Sequence, residues 1–266
     1  MNIKSIRYRY NLTYKHLLQY IAPSQEVPKS AVFVAGNQRS GTNMLMDVLE
    51  KSMETDVYHE RDPRAFDNYQ MRDTTVIKQL HDKSKARVFI IKALCELQDL
   101  PELLDEFKPA KLLWMVRHHH DVVNSMMRSF EGFASQLNAI AEDRSAAGWR
   151  GLGMSDETHT LVKNYAARGV NDETAAALQW YYRNILLLEQ RLGTDARTLV
   201  LSYENLVKNP KIEFDKIYRF LDLSYTDKIS RNIFATSVSR NRPPDIHPEV
   251  AELCHELQLQ LDALML

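Results

Sequence analysis

The sequence holds only two cysteines, Cys95 and Cys254, in 266 residues. Two thiols cannot build a disulfide framework and offer no cysteine-based metal cluster, so a reducing, cytoplasmic setting is expected. Neither sign of charge is in excess: 34 Lys and Arg stand against 35 Asp and Glu, a formal net charge of −1. That excludes a global electrostatic pull toward nucleic acid or an anionic membrane, though not a local cationic site. No apolar run approaches the ~20 residues needed to cross a bilayer, so no transmembrane segment is expected. The basic, aromatic N-terminus lacks the apolar centre of a secretory signal. Internal repeats and low-complexity tracts are absent. Glycine is scarce as well, with eight in the whole chain. Two of these, Gly36 and Gly41, bracket one short loop, and that spacing carries information.

What is present is an alternation of short apolar runs with helical periodicity. Strands are expected at 31–35, 87–92, 111–116 and 197–201. Helical patterns cover 43–50, 99–107, 120–130, 134–147, 155–168, 172–191, 210–222 and 248–264, the one at 172 capped by Asn171 or Asp172. This order predicts an α/β fold: a central parallel sheet flanked by helices, in a single domain over 1–266. Residues 1–30 read as an N-terminal helical extension, and 131–174 as a helical insertion or lid. In such sheets ligands bind beyond the carboxyl ends of the strands, so the residues just after each strand matter most.

After the first strand comes Gly36-Asn-Gln-Arg-Ser-Gly41-Thr42-Asn43. Glycines that let the backbone approach, followed by a helix start, form a phosphate cradle. The G-x-x-x-x-G spacing matches a nucleotide P-loop, but the Lys-Ser/Thr that would follow is replaced by Thr42-Asn43, and the cation stands inside the loop as Arg39. After the third strand stands Arg117, then His118-His-His120-Asp121, with Ser125 further along the helix. A strand-tip arginine and a helix-borne hydroxyl together suit a phosphate; a structural ion pair of Arg117 is the simpler alternative. The three histidines suggest a metal ligand set. None is expected, because consecutive helical residues point about 100° apart. Trp180, Tyr181 and Tyr182 read as core rather than cleft. The stripe Val250, Leu253, Leu257 and Leu261 reads as a packing face or, if exposed, the seam of a homodimer.

Taken together, three segments resemble the sulfotransferases that use 3′-phosphoadenosine 5′-phosphosulfate (PAPS). Gly36-Asn-Gln-Arg-Ser-Gly-Thr-Asn-Met-Leu45 resembles their 5′-phosphosulfate loop, Arg117 with Ser125 their 3′-phosphate pair, and Leu201-Ser-Tyr-Glu-Asn-Leu-Val-Lys-Asn-Pro210 their Tyr-Glu-(Asp/Asn)-Leu segment. The segments occur in the family's order across 31–222, in a version seen in bacterial and Golgi-type members that carry arginine in the first loop. The resemblance implies a P-loop-like architecture. It implies that PAPS, with 3′,5′-adenosine bisphosphate as product, is bound by Arg39, Ser40, Gly41, Thr42, Asn43, Met44, Arg117, Ser125 and Tyr203. Departures are visible too. Met44 stands where cytosolic members have tryptophan, the segment after the second strand is Lys92-Ala-Leu rather than Lys-Thr-His, and the C-terminal basic loop is missing, with Arg240 in 237–242 as its candidate substitute.

Sulfuryl transfer needs an activated nucleophile, cations around the moving group and a stabilised leaving oxygen. Arg39 is expected at the leaving oxygen and Lys92 at the sulfuryl oxygens, with no metal required. Glu60 is the first candidate base, since tyrosylprotein sulfotransferases place theirs at a similar distance after the loop arginine. His59 is the alternative, and Glu96 the third. A surface salt bridge of Glu60 to Arg61 or Arg64 is the competing reading. The acceptor is a hydroxyl on a small molecule, lipid, sugar or tyrosyl peptide. Competing functions are a P-loop kinase or NTPase and a non-catalytic nucleotide-binding protein of the same fold.

Overall fold

The computed structural model describes residues 13–21, 29–233 and 242–265. It begins with α1 (13–21), β1 (Ser30–Gly36), α2 (Thr42–Leu49), β2 (Thr55–Tyr58), β3 (Phe66–Asp67), β4 (Gln70–Met71), α3 (Thr74–Lys83) and β5 (Val88–Lys92). Next come α4 (Leu100–Glu106), β6 (Ala110–Val116), α5 (His119–Met127), α6 (Phe133–Glu142), α7 (Asp156–Ala167), α8 (Asp172–Asn184) and α9 (Leu186–Glu189). The chain closes with β7 (Thr198–Ser202), α10 (Tyr203–Lys208), α11 (Pro210–Phe220) and α12 (Pro248–Ala263).

Five strands form one sheet in the order β2-β5-β1-β6-β7, and every neighbouring pair is parallel. β1 is central, and its apolar run is buried on both faces, as an all-parallel sheet requires. Ala31, Phe33 and Ala35 join the core that also holds Trp114, Trp180 and the inner faces of α4, α5, α8 and α12. Val32 and Val34 join the opposite core, with Leu45 and Leu49 of α2 and Phe214, Ile217 and Tyr218 of α11. The side-chain period of two thus sorts one strand between two helical layers.

Four strands fall where apolar runs predict them. The fifth, β2, has no apolar run to predict it; it is an edge strand on β5. α1 is fastened beside it by polar contacts, with Lys15 Nζ donating to the Glu50 carbonyl at 2.7 Å and Gln19 Nε2 to the Thr55 carbonyl at 2.9 Å. The rest of the expected N-terminal extension, 1–12 and 22–28, lies outside the described residues. The 131–174 segment is helical and packs into the main core through Phe133, Leu137, Ile140, Val162 and Tyr165. Only the turn around Ala147–Arg150 reaches the cleft described below. Asn171 is the cap of α8, its side chain accepting from the Thr174 amide at 2.8 Å. On α12, Val250, Leu257 and Leu261 of the expected stripe are buried with Cys254 in the core shared with α8, and Leu253 is partly buried against it, so this stripe is a packing face within the chain and not an open dimer seam. Among the described residues no helix is long and apolar enough to cross a membrane.

Candidate active site

A cleft of about 880 Å³ opens at the carboxyl ends of the strands, lined among others by Arg39, Gly41, Thr42, Asn43, Met44, Glu60, Lys92, Arg117, Ser125 and Tyr203. Apart from Ser125, carried by α5, each sits at or just past a strand end or in the first turn of a helix. These ten of the expected site residues share one cavity. Ser40 is buried beneath it, and its Oγ has no hydrogen-bond partner among the described residues.

The loop between β1 and α2 is shaped by its two glycines. Gly36 has φ 133°, and a Cβ there would lie 2.3 Å from the Met115 carbonyl oxygen on β6. Gly41 has φ 95°, and a Cβ would lie 2.3 Å from Cδ2 of Tyr203. Left-handed backbone and close neighbours leave glycine as the residue that fits at both points. No side chain caps the start of α2, so its first amides face the cleft with the positive end of the helix dipole. Arg39 is also left-handed, at φ 68°, which turns its side chain across the loop. Its Nε donates to Ser125 Oγ at 2.9 Å.

Arg117 ends β6. Its Nη1 donates to the Arg39 carbonyl at 3.2 Å, its Nη2 stands 3.7 Å from Asp121 Oδ2, and its guanidinium lies 4.4 Å from the centre of the Tyr203 ring. The Trp180 indole N–H donates to the Arg117 carbonyl at 3.0 Å, fixing the strand end; Trp180 and Tyr182 themselves are core. The arginine pair, Ser125 and Tyr203 thus form one cationic corner at the tips of β1, β6 and β7. Arg39, expected at the leaving oxygen, here turns its guanidinium toward Ser125 of the expected 3′-phosphate pair.

The second corner lies at the tips of β2 and β5. Lys92, 2% exposed, donates from Nζ to Asn43 Oδ1 at 2.6 Å and is ion-paired with Glu60. Burial pushes the Lys92 ammonium below its ordinary value, and the Glu60 carboxylate opposes that shift. Glu60 therefore pairs with a buried lysine inside the cleft, not with Arg61 or Arg64. His59 does not line the cleft; its Nε2 stands 3.5 Å from Glu50. Glu96 is turned to a structural task, its Oε1 accepting the Met71 amide at 2.7 Å, and burial raises its carboxyl to about 7. Arg240 lies outside the described residues.

Sequence reasoning missed the far wall. The β3-β4 hairpin contributes Phe66 and Tyr69, and the 147–150 turn contributes Trp149 and Arg150. Arg183 of α8 ties this wall together. It is 1% exposed and donates to the carbonyls of Trp149 at 3.1 Å, Leu152 at 3.3 Å and Leu94 at 3.1 Å. A charged residue in the last turn of a helix, directly after Trp180, Tyr181 and Tyr182, was the available signal.

The histidine cluster is tighter than helical geometry predicts. His118 caps α5 from outside the helix, with φ −52° and ψ 130°. Its ring therefore escapes the helical spacing and stacks on His119 at 4.5 Å. One ligand atom from each of the three lies within 4.8 Å of the others. Divergence along a helix is thus not an argument against a shared ligand here.

A parallel sheet with a glycine-bracketed loop after its central strand and an arginine at a strand tip defines an α/β protein of P-loop-like architecture. The sequence profile described as "Sulfotransferase family" matches residues 52–227. This is more than half of the chain, so the protein belongs to the sulfotransferase family; the matched stretch begins after the glycine loop. The fold is similar to that of the sulfotransferase domain from the curacin biosynthetic pathway, at 15% identity and TM-score 0.53, over 87% of this chain and 98% of that one. It is also similar to a sulfotransferase from Alicyclobacillus acidocaldarius, at 15% identity and TM-score 0.53, over 90% of this chain and 96% of that one. No curated protein sequence matches.

Proposed function

We propose that this sulfotransferase moves the sulfuryl group of PAPS to a hydroxyl acceptor by in-line displacement, in a cytoplasmic setting suited to its two buried free cysteines. The observation that carries the reading is the joining of Arg39, Ser125 and Arg117 into one corner, 2.9 and 3.2 Å apart, in the same cleft as the Lys92–Glu60 pair. The residues present fit the donor. The Gly41 cradle would be filled by a Cβ, the Ser40 hydroxyl beneath it is unpartnered, and Tyr203 offers a ring beside Arg117. The Arg117 corner suits the 3′-phosphate and the Ser40–Met44 amides suit the 5′-phosphosulfate, with Met44 beside them.

When bound, the donor supplies a sulfuryl group carried on a phosphate leaving group. Glu60 takes the acceptor hydroxyl proton as the oxygen–sulfur bond forms. Lys92, held by Asn43, neutralises charge on the sulfuryl oxygens. The helix-start amides receive the negative charge left on the 5′-phosphate oxygen as its bond to sulfur breaks.

Arg117→Ala should weaken binding of 3′,5′-adenosine bisphosphate by roughly tenfold or more, the scale of a lost charge-assisted contact to phosphate. Calorimetric titration measures this, and unchanged affinity would remove Arg117 from the donor site. Gly41→Ala should weaken the same ligand by about as much, because its Cβ must displace the Tyr203 ring; adding Tyr203→Ala should return part of the loss. Incubation of the chain with radiolabelled PAPS and a cell extract tests the reaction itself. A labelled product that depends on the chain supports it, and nucleotide binding without any transfer leaves a binding protein.

A further inference from the structure

Two arginines line the cleft beyond what the donor needs. The strand order separates them from the phosphate corner. Arg117, Ser125 and Tyr203 stand past β6 and β7, on one side of β1, whereas Arg61 follows β2 and Arg150 is carried by the turn that Arg183 ties to Leu94 just past β5. Arg61 makes no hydrogen bond or ion pair among the described residues, and Arg150 donates only to the Ala147 carbonyl, at 3.4 Å. The Arg150 guanidinium lies 4.8 Å from the centre of the Trp149 ring, which restrains it without neutralising it. Among the described residues the one acid lining the cleft, Glu60, is engaged by Lys92. This half of the cleft therefore has positive charge with no counter-ion among the described lining residues, set among the aromatic rings of Phe66, Tyr69 and Trp149.

We infer that the acceptor is an aromatic hydroxyl compound that also carries an acidic group, its flat body lying against Phe66, Tyr69 and Trp149 and its anion held by Arg61 and Arg150. This rests on the sulfuryl-transfer reading above. A second anion at this place does not compete with the donor, because Arg61 follows the edge strand β2 and the Arg117 corner follows β6, on the other side of β1 in the strand order. Guanidinium groups recognise a carboxylate by paired hydrogen bonds, so the acidic group selects among hydroxyl compounds of the same shape.

The test is a calorimetric titration of the full chain, loaded with 3′,5′-adenosine bisphosphate and also free of it. The probes are 4-hydroxybenzoate, 4-hydroxyphenylacetate and 3-(4-hydroxyphenyl)propionate, each against its neutral amide. At least one acid should bind roughly tenfold more tightly than its amide, the difference that one good charged contact makes. In the Arg61→Gln, Arg150→Gln double variant that preference should vanish while nucleotide affinity stays unchanged. Equal binding of acid and amide, a preference that survives the double variant, or no binding of any acid to a chain that does bind nucleotide would overturn the inference and leave the donor reading standing. Absence of nucleotide binding would overturn the donor reading and this inference with it.

Discussion

Glu60→Gln is expected to lower turnover by about two orders of magnitude or more, the usual size of a lost general base, while the affinity for 3′,5′-adenosine bisphosphate stays close to that of the parent. The structure adds a second signature. Glu60 is the ion-pair partner of Lys92, and burial already holds the Lys92 ammonium below its ordinary value while Glu60 raises it. Removing the carboxylate takes away the raising influence, so Lys92 loses its proton at a lower pH than in the parent. The alkaline limb of the pH–rate profile should therefore move toward acid in the residual activity of the variant. Glu60→Asp should keep the charge near Lys92 and restore part of the rate. Near-normal turnover in Glu60→Gln, measured with labelled donor, would remove this carboxylate from the chemistry. An unmoved alkaline limb would show that Lys92 titrates independently of it.

The second large effect is expected from Arg183→Met. This guanidinium is 1% exposed, its ordinary value is pressed down to about 10 by burial, and its hydrogen-bond partners among the described residues are the carbonyls of Trp149, Leu152, Leu94 and Cys95, with no carboxylate among them. Methionine keeps much of the volume but strands several buried acceptors. Unsatisfied buried groups cost about 1–3 kcal/mol each, so a loss of roughly 3–5 kcal/mol is expected, within the upper tail of single substitutions. At about 2–4 °C per kcal/mol for a chain near this length, the thermal midpoint should fall by roughly 10 °C. Thermal unfolding followed by circular dichroism measures it. Because the arginine ties the 147–152 turn to the end of β5, any folded variant should show a raised KM for acceptor with donor affinity retained. A midpoint within a degree or two of the parent would mean that the turn holds without its clamp.

Much of this architecture could be read from the chain alone, because the signals were local. Val32, Phe33 and Val34 form a run that only a doubly covered strand accommodates, and Gly36 and Gly41 mark a loop whose backbone other residues cannot follow. Arg117, Lys92 and Glu60 sit at strand ends, where the fold rule already places chemistry. What could not be read depends on contacts between distant segments. β2 is short and carries Asp56 among its four residues, so it shows no clean alternation. The hairpin that bears Phe66 and Tyr69 has strands of two residues each, too short for any periodicity. The direction of Arg39 follows from its left-handed backbone and the position of Ser125 on α5, neither of which the loop motif encodes. His118 escapes the helical spacing because it stands one residue before the helix, within the usual uncertainty of a helix start.

The hairpin at 66–71 is anchored by Phe66, buried in the main core, by the Met71 amide on Glu96 and by the Cys95 thiol on the Tyr69 carbonyl, while residues 67–70 between these anchors are exposed. Nothing in the phosphate corner depends on it. The exposed tip can be exchanged with the Phe66 anchor kept, by recombination in nature or by grafting in the laboratory; under the proposed function such a swap would redirect the chain to a different hydroxyl compound and leave its donor unchanged.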